Sequence, residues 1–296
     1  MHQQYKQDFL HAGALAKQVR AYGKSLIQPG ASYNAVMQQI YKKISDLGAI
    51  AAFPPQMALD HVAAHFLPQP DEDILFSTQV VKLDIGVCFN GAIGDCAVTV
   101  DLSGKYQPLI DAAEAALLAA EKIIKVGLPT REIGAAIEHA IVSRGFKPIK
   151  NLCGHGLGYF KVHTPPSIPN YDDRSRTVIT PGMTFAIEPF ATDGKGMIYE
   201  AGQPAIFSYA ASRPVHSDFA RSLLPKIKAF HGLPFSIHEL SQDLPLPEVQ
   251  KAVQELIQAG VINGYAPFIE EAHGMVAQAE NSILVDEHGK VFVTTR

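Results

Sequence analysis

An ionised carboxylate inside an apolar strand constrains a fold, because burying it is costly unless it is paired or bound to a cation. Four such residues recur along this chain. Asp84 lies in Val80-Val81-Lys82-Leu83-Asp84-Ile85, Asp95 opens Asp95-Cys96-Ala97-Val98-Thr99-Val100, Glu188 closes Met183-Thr184-Phe185-Ala186-Ile187-Glu188, and Glu280 closes Met275-Val276-Ala277-Gln278-Ala279-Glu280. With His155 they form a hard, oxygen-rich ligand set that suits Mn, Fe, Co or Zn better than a thiolate-type structural zinc site would. Brought together, these residues would carry the set wanted for a paired divalent-metal site. Two metals sharing carboxylates can activate a water and hold both ends of a bond being hydrolysed.

Asp84 and Asp95 can be placed from sequence. Asn90-Gly91 is a strong signal for a two-residue type I′ hairpin. Closing the turn there sets Phe89 opposite Ala92, Val87 opposite Gly94, Gly86 opposite Asp95 and Asp84 opposite Ala97. Period-two alternation then puts Asp84, Gly86 and Asp95 on one face. The two aspartates become diagonal neighbours, roughly 7–8 Å apart at the backbone. Gly86, with no side chain, is expected to leave room for an ion between them. Taken alone, the pair also suits two polar residues at hairpin ends.

The wider set of motifs resembles the methionine aminopeptidase and prolidase superfamily. These motifs are Leu83-Asp84-Ile85-Gly86, Gly94-Asp95, Gly154-His155-Gly156-Leu157-Gly158, Phe185-Ala186-Ile187-Glu188-Pro189 and Ala277-Gln278-Ala279-Glu280. Ala52-Phe53-Pro54, Ala63-Ala64-His65, Val162-His163 and Gly194-Lys195-Gly196 are similar, in order and spacing, to the short, archaeal-like type II methionine aminopeptidases. The resemblance runs over nearly the whole chain. It implies an α/β (α+β) pita-bread, or creatinase-like, fold with pseudo-twofold internal symmetry and an antiparallel-rich sheet flanked by helices.

Composition agrees with a compact enzyme. A chain of 296 residues that is 47% hydrophobic supports one large domain or a domain plus an insert. A net charge of −4 gives no general attraction to nucleic acid or anionic lipid. The start, Met1-His2-Gln3-Gln4-Tyr5-Lys6, is too polar for a signal peptide, and no apolar run is long enough to span a bilayer. Cys88, Cys96 and Cys153 lack metal-ligand spacing and fit reduced thiols. The expectation is a cytoplasmic monomer with no nucleic-acid or membrane partner.

Two segments read as copies of one plan. Ser32 and Thr130 sit where helix N-caps belong, and Gly48 and Gly145 where C′ glycines belong. Each of these helices follows another, expected over about 5–26 and 108–124, and precedes strands. Helix punctuation can also recur by chance. As two halves, the first would supply Asp84 and Asp95 and the second His155, Glu188 and Glu280, placing the site at the seam. The expected catalytic domain covers 1–200 and 270–296. Residues 201–269 turn helical, with Phe219, Leu223, Leu224, Ile227 and Phe230 at helix spacing, then Val249, Ala252, Val253, Leu256 and Ile257. They resemble the winged-helix-like insert of type II enzymes. Arg213, Arg221, Lys226, Lys228 and Lys251 are matched by Asp218, Glu239, Asp243, Glu248 and Glu255, and outnumbered once Glu270 and Glu271 just past its end are counted, so the stretch lacks a nucleic-acid footprint.

Carried over residue by residue, the resemblance implies two divalent ions per chain (Co, Mn, Fe or Zn). Asp84 would chelate one, His155 and Glu188 the other, and Asp95 and Glu280 would bridge both. Glu188 would take the proton of the attacking water. His65 and His163 would face the substrate, one near the scissile amide and the other near the carbonyl oxygen. Phe53, Val162 and Met275 match positions lining the methionine pocket, where apolar walls suit a flexible thioether. Ala279, Asn281 and Met275 depart from the subfamily's usual phenylalanine, histidine and tyrosine. The implied partners are the N-terminal methionine of nascent polypeptides and, as a further candidate, the ribosome. An Xaa-Pro dipeptidase or aminopeptidase, and a non-catalytic pita-bread binding protein, are the alternatives. The first normally carries a substantial separate N-terminal domain, and relatives of the second kind have lost metal ligands.

Overall fold

The computed structural model describes residues 3–296, so Met1 and His2 of the polar start lie outside the described residues. The central hairpin pairs Val80–Phe89 with Ala92–Asp101 in the register read from the turn, Asp84 opposite Ala97 and Gly86 opposite Asp95. Asn90 and Gly91 both take positive φ, +49° and +82°, as a type I′ turn requires. Gln56–Leu59 and Ile50–Ala51 complete this four-stranded antiparallel sheet.

Two helices pack against this sheet: Gln3–Leu26, which runs along the hairpin, and Tyr33–Asp46, which lies on the first helix and Ile50–Ala51 and is capped at its start by the Ser32 hydroxyl accepting from the Ala35 N–H. The first helix comes so close that a Cβ on Gly94 would lie 2.4 Å from the Ala12 carbonyl oxygen. A glycine before Asp95 is thus a packing requirement. Gly86 is different. A Cβ there would come within 2.3 Å of the Phe53 ring, so the space expected to hold an ion is filled by Phe53.

The second half repeats the plan. Helices Gln107–Ile123 and Thr130–Val142 bury Leu109, Ile110, Ile133 and Ile137 in a core shared with Phe185, Ile187 and Ile283. Those three residues come from a five-stranded antiparallel sheet ordered Val291–Val293, Asn281–Val285, Thr184–Ile187, Cys153–Gly158, Lys161–Pro169. Thr130 is not the N-cap expected of it. Pro129 holds that position and Thr130 is the first helical residue. The bridge between Pro129 and Val178 fixes the entry, with the Thr130 N–H donating to the Thr177 carbonyl, and the buried Thr130 hydroxyl caps nothing.

Hydroxyl groups stitch the halves together. The Ser282 Oγ accepts from the Asp95 N–H and donates to the Asp95 carbonyl, both at 2.8 Å. The Thr99 Oγ1 does the same for Gln278, at 2.9 and 2.7 Å. Glu280 sits in the break between Val276–Gln278 and Asn281–Val285, with its N–H directed to the Ala97 carbonyl.

Within 201–269, helices Asp218–Ala229, Ile237–Ser241 and Leu246–Gln258 surround a three-stranded sheet ordered Phe235–Ser236, Ile206–Tyr209, Ile262–Tyr265. Ser236 and Glu239 close a reciprocal capping box on the short middle helix. Leu223, Ile227, Val253 and Leu256 are continuous with the buried side chains of the first two helices, so any test of this stretch belongs on the full chain. On its acidic balance, the protein should show no duplex DNA binding in a mobility-shift assay at physiological salt. Submicromolar, salt-sensitive binding would contradict that expectation.

Candidate metal centre

A cavity of about 500 Å³ opens at the seam, and Asp84, Asp95, His155, Glu188 and Glu280 all line it, as do His65, His163, Phe53 and Val162. Hairpin strands supply the aspartates. His155 comes from Cys153–Gly158, Glu188 from the residue after Thr184–Ile187, and Glu280 from the break described above. Met275 is not in the cavity wall. It lies just before Val276–Gln278, its N–H donates to Asp193 Oδ1 at 2.7 Å, and its side chain packs on the second-half core. Phe268, Tyr265, Phe190 and Ile206 line the cavity instead, and no sequence motif marks them. Gln56, opposite Asp84 in the neighbouring strand, also lines the cavity, and so does Cys153.

The carboxylates are packed closely, without enough donors. Asp95, His155 and Glu280 offer ligand atoms lying within 4.8 Å of one another. His155 Nε2 is 3.4 Å from Glu188 Oε1 and 3.9 Å from Asp95 Oδ2. Gln278 Nε2 lies 3.5 Å from both Asp84 Oδ2 and Glu280 Oε2, while Asp84 Oδ1 and Asp95 Oδ1 have no hydrogen-bond partner. Burial pushes the Asp84 carboxyl up to about 7. It pushes Asp95, Glu188 and Glu280 well above the usual carboxylate range, and their mutual repulsion adds to it.

His155 completes the argument. Its Nδ1 contacts the Gly156 carbonyl at 3.3 Å, a partner that can only accept, so Nε2 presents its lone pair to the acids. Burial, with His163 adding to it, holds His155 down to about 3, so it is neutral at physiological pH. A lone pair and four carboxylates facing one cavity repel unless the acids take up protons or a cation lies among them. These donors fit a divalent ion bound by oxygen and imidazole nitrogen.

The other two histidines flank this cluster. The rings of His163 and His155 lie 4.3 Å apart between centroids. His65 packs against Phe268 at 4.3 Å and Tyr265 at 5.6 Å. Burial lowers both, His65 to about 4, so each keeps one N–H to donate at neutral pH. His65 has a φ of +59°. A non-glycine residue there stores on the order of 1–3 kcal/mol of strain, which the surroundings must sustain. Phe268, which packs on His65, lies on a strand that ends at Glu270. Its buried carboxylate accepts from the N–H groups of Gly196 (2.9 Å), Ala272 (2.7 Å), Gly274 (3.0 Å) and Lys195. This ties the Gly194-Lys195-Gly196 segment to the cavity wall.

With the geometry in place, comparison with known proteins becomes informative. The sequence profile of Metallopeptidase family M24 matches residues 7–287. The chain belongs to that family. A methionine aminopeptidase of Pyrococcus horikoshii is 39% identical over 289 residues, covering 97% of this chain and 98% of the relative. The crystal structure of a methionine aminopeptidase from Thermotoga maritima superposes with a TM-score of 0.72 at 20% identity, covering 100% of this chain and 98% of the other. A thermophilic Arx1 superposes with a TM-score of 0.84 at 12% identity, covering 99% and 91%. The last two likenesses concern the fold alone, and the architecture described above is the pita-bread fold of M24 enzymes. Among the described residues, no helix is long and apolar enough to cross a membrane.

Proposed function

We propose that this M24 metallopeptidase is a methionine aminopeptidase, acting in the cytoplasm as a monomer on the N-terminal methionine of nascent polypeptides. One observation carries the reading: five donors around one buried cavity, walled on another side by Phe53, Val162 and Phe268, in a chain so similar to archaeal methionine aminopeptidases. Asp84, Asp95, His155, Glu188 and Glu280 would hold two divalent ions, with Co, Mn, Fe and Zn as the candidates. When bound, the ions supply Lewis acidity that makes water nucleophilic at neutral pH. Glu188, which lines the cavity, takes the proton of the attacking water and returns it to the leaving amine. Neutral His65 and His163 donate hydrogen bonds, one at the scissile amide and one at the carbonyl oxygen as it becomes an oxyanion. The free α-amine of a substrate enters among carboxylates, which restricts cleavage to the first residue. We assign 201–269 to an inserted, winged-helix-like subdomain bordering the cavity, to which it contributes Ile206, Pro234, Tyr265 and Phe268.

A panel of tripeptides tests the substrate. Met-Ala-Ser, Met-Gly-Ser and Met-Ser-Ser should lose methionine, and Met-Lys-Ser and Met-Phe-Ser should not. A one-methylene change in an apolar pocket alters selectivity by about 1–3 kcal/mol, so norleucine in place of methionine should still be cleaved. Equal rates across second residues of every size would contradict the reading.

A further inference from the structure

Behind the cavity, a polar network holds the main chain of the two acids assigned to bridge the ions. Glu280 lies in a break between strands, so no sheet partner takes its carbonyl. Arg20, on the first helix, takes it instead: Nη1 donates to the Glu280 carbonyl at 2.9 Å and to Asn281 Oδ1 at 3.0 Å, and Nη2 donates to the Thr295 carbonyl at 2.8 Å. Asn281 is the hub. Its Oδ1 also accepts from Thr295 Oγ1 at 2.8 Å, and its Nδ2 donates to Glu121 Oε1 at 2.7 Å. An amide can accept twice and donate at once. The Thr295 hydroxyl takes the Ser282 N–H at 3.0 Å, and Ser282 clamps both main-chain groups of Asp95. The first helix, the Gln107–Ile123 helix and the turn that follows Val291–Val293 thus converge on the backbone of Asp95 and Glu280.

We propose that Arg20 and Ser282 are positioning residues for the metal centre: Arg20 aims the Glu280 carboxylate into the cavity and Ser282 aims that of Asp95. This rests on the reading that these carboxylates hold the ions. Neither residue lines the cavity, and both act through the main chain of a ligand. Partners one layer behind the ligands typically govern metal affinity by 10–100-fold.

The test is a Co²⁺ titration of the metal-stripped full-length protein, followed by calorimetry and visible absorption, with thermal melting of the stripped protein alongside. Arg20→Ala and Ser282→Ala should each weaken Co²⁺ binding about 10–100-fold and change the absorption spectrum. Millimolar guanidinium should restore much of the affinity of Arg20→Ala. The control is Lys6→Ala, which removes another brace from the same helix, to Asp286 at 2.9 Å, away from the cavity. It should leave affinity and spectrum unchanged. Wild-type affinity and spectrum in both variants, or a loss confined to the stripped protein's melting temperature, would overturn the proposal. If Arg20→Ala fails to fold, Ser282→Ala decides alone. A wild-type protein that binds no Co²⁺ would instead sink the metal-centre reading and this inference with it.

Discussion

Treating the protein with a chelator should reduce methionine release from Met-Ala-Ser to the uncatalysed background, a loss of ~10⁶-fold or more given the usual scale of enzymatic acceleration. Adding back Co, Mn, Fe or Zn should restore it, because the attacking water needs the ions' Lewis acidity to be nucleophilic at neutral pH. Asp84→Asn should sharply weaken metal affinity while the hairpin keeps its register. The buried acids add a pH dependence with a defined sign. Burial raises Asp84 to about 7 and raises Asp95, Glu188 and Glu280 well above the usual carboxylate range, so the stripped cluster binds protons more readily than free carboxylates do. A bound cation requires the ionised forms, so loading must release protons and apparent affinity must rise with pH through neutrality. Calorimetry at pH 7 in buffers of different ionisation enthalpy reads the proton count directly. Full activity in chelator, or metal uptake with no proton release, would contradict the account.

His65→Ala and His163→Ala should each lower kcat by ~10²–10³, the roughly 2.7–4 kcal/mol associated with losing an oxyanion donor. Metal content should hardly change, since neither is assigned as a ligand. His65 carries an extra risk. Its left-handed backbone and its contact with Phe268 mean that the variant can also relax the wall, so KM should rise along with the fall in kcat. His163, beside His155, should show the purer effect on kcat. Wild-type rates in both variants would remove these histidines from the mechanism.

How much of this was legible beforehand differs by residue. The hairpin register followed from Asn90-Gly91 alone, because a two-residue turn leaves one way to pair the strands. The joining of Asp84 to His155, Glu188 and Glu280 did not. It came from the family resemblance, since no local rule relates segments so far apart. The missing side chain of Gly86 suggests space for an ion, and the space holds Phe53, because which side chain fills a gap is decided in three dimensions. Met275 points to the second-half core for the same reason: its strand begins one residue later, and Asp193 fixes its main chain. Phe268 and Tyr265 carry no sequence mark of wall residues, because they look like ordinary core positions until that segment folds over the seam. Arg20, in an amphipathic helix at the other end of the chain from Glu280, left no signal in sequence.

The comparison that bears most directly on the central claim places Met-Ala-Ser, acetyl-Met-Ala-Ser and Ala-Pro side by side with metal-loaded protein, with released amino acid as the readout. The account expects methionine from the free tripeptide, none from the acetylated one because its amine is blocked, and no appreciable cleavage of Ala-Pro. Hydrolysis of Ala-Pro with Met-Ala-Ser left intact would contradict it and favour an Xaa-Pro dipeptidase.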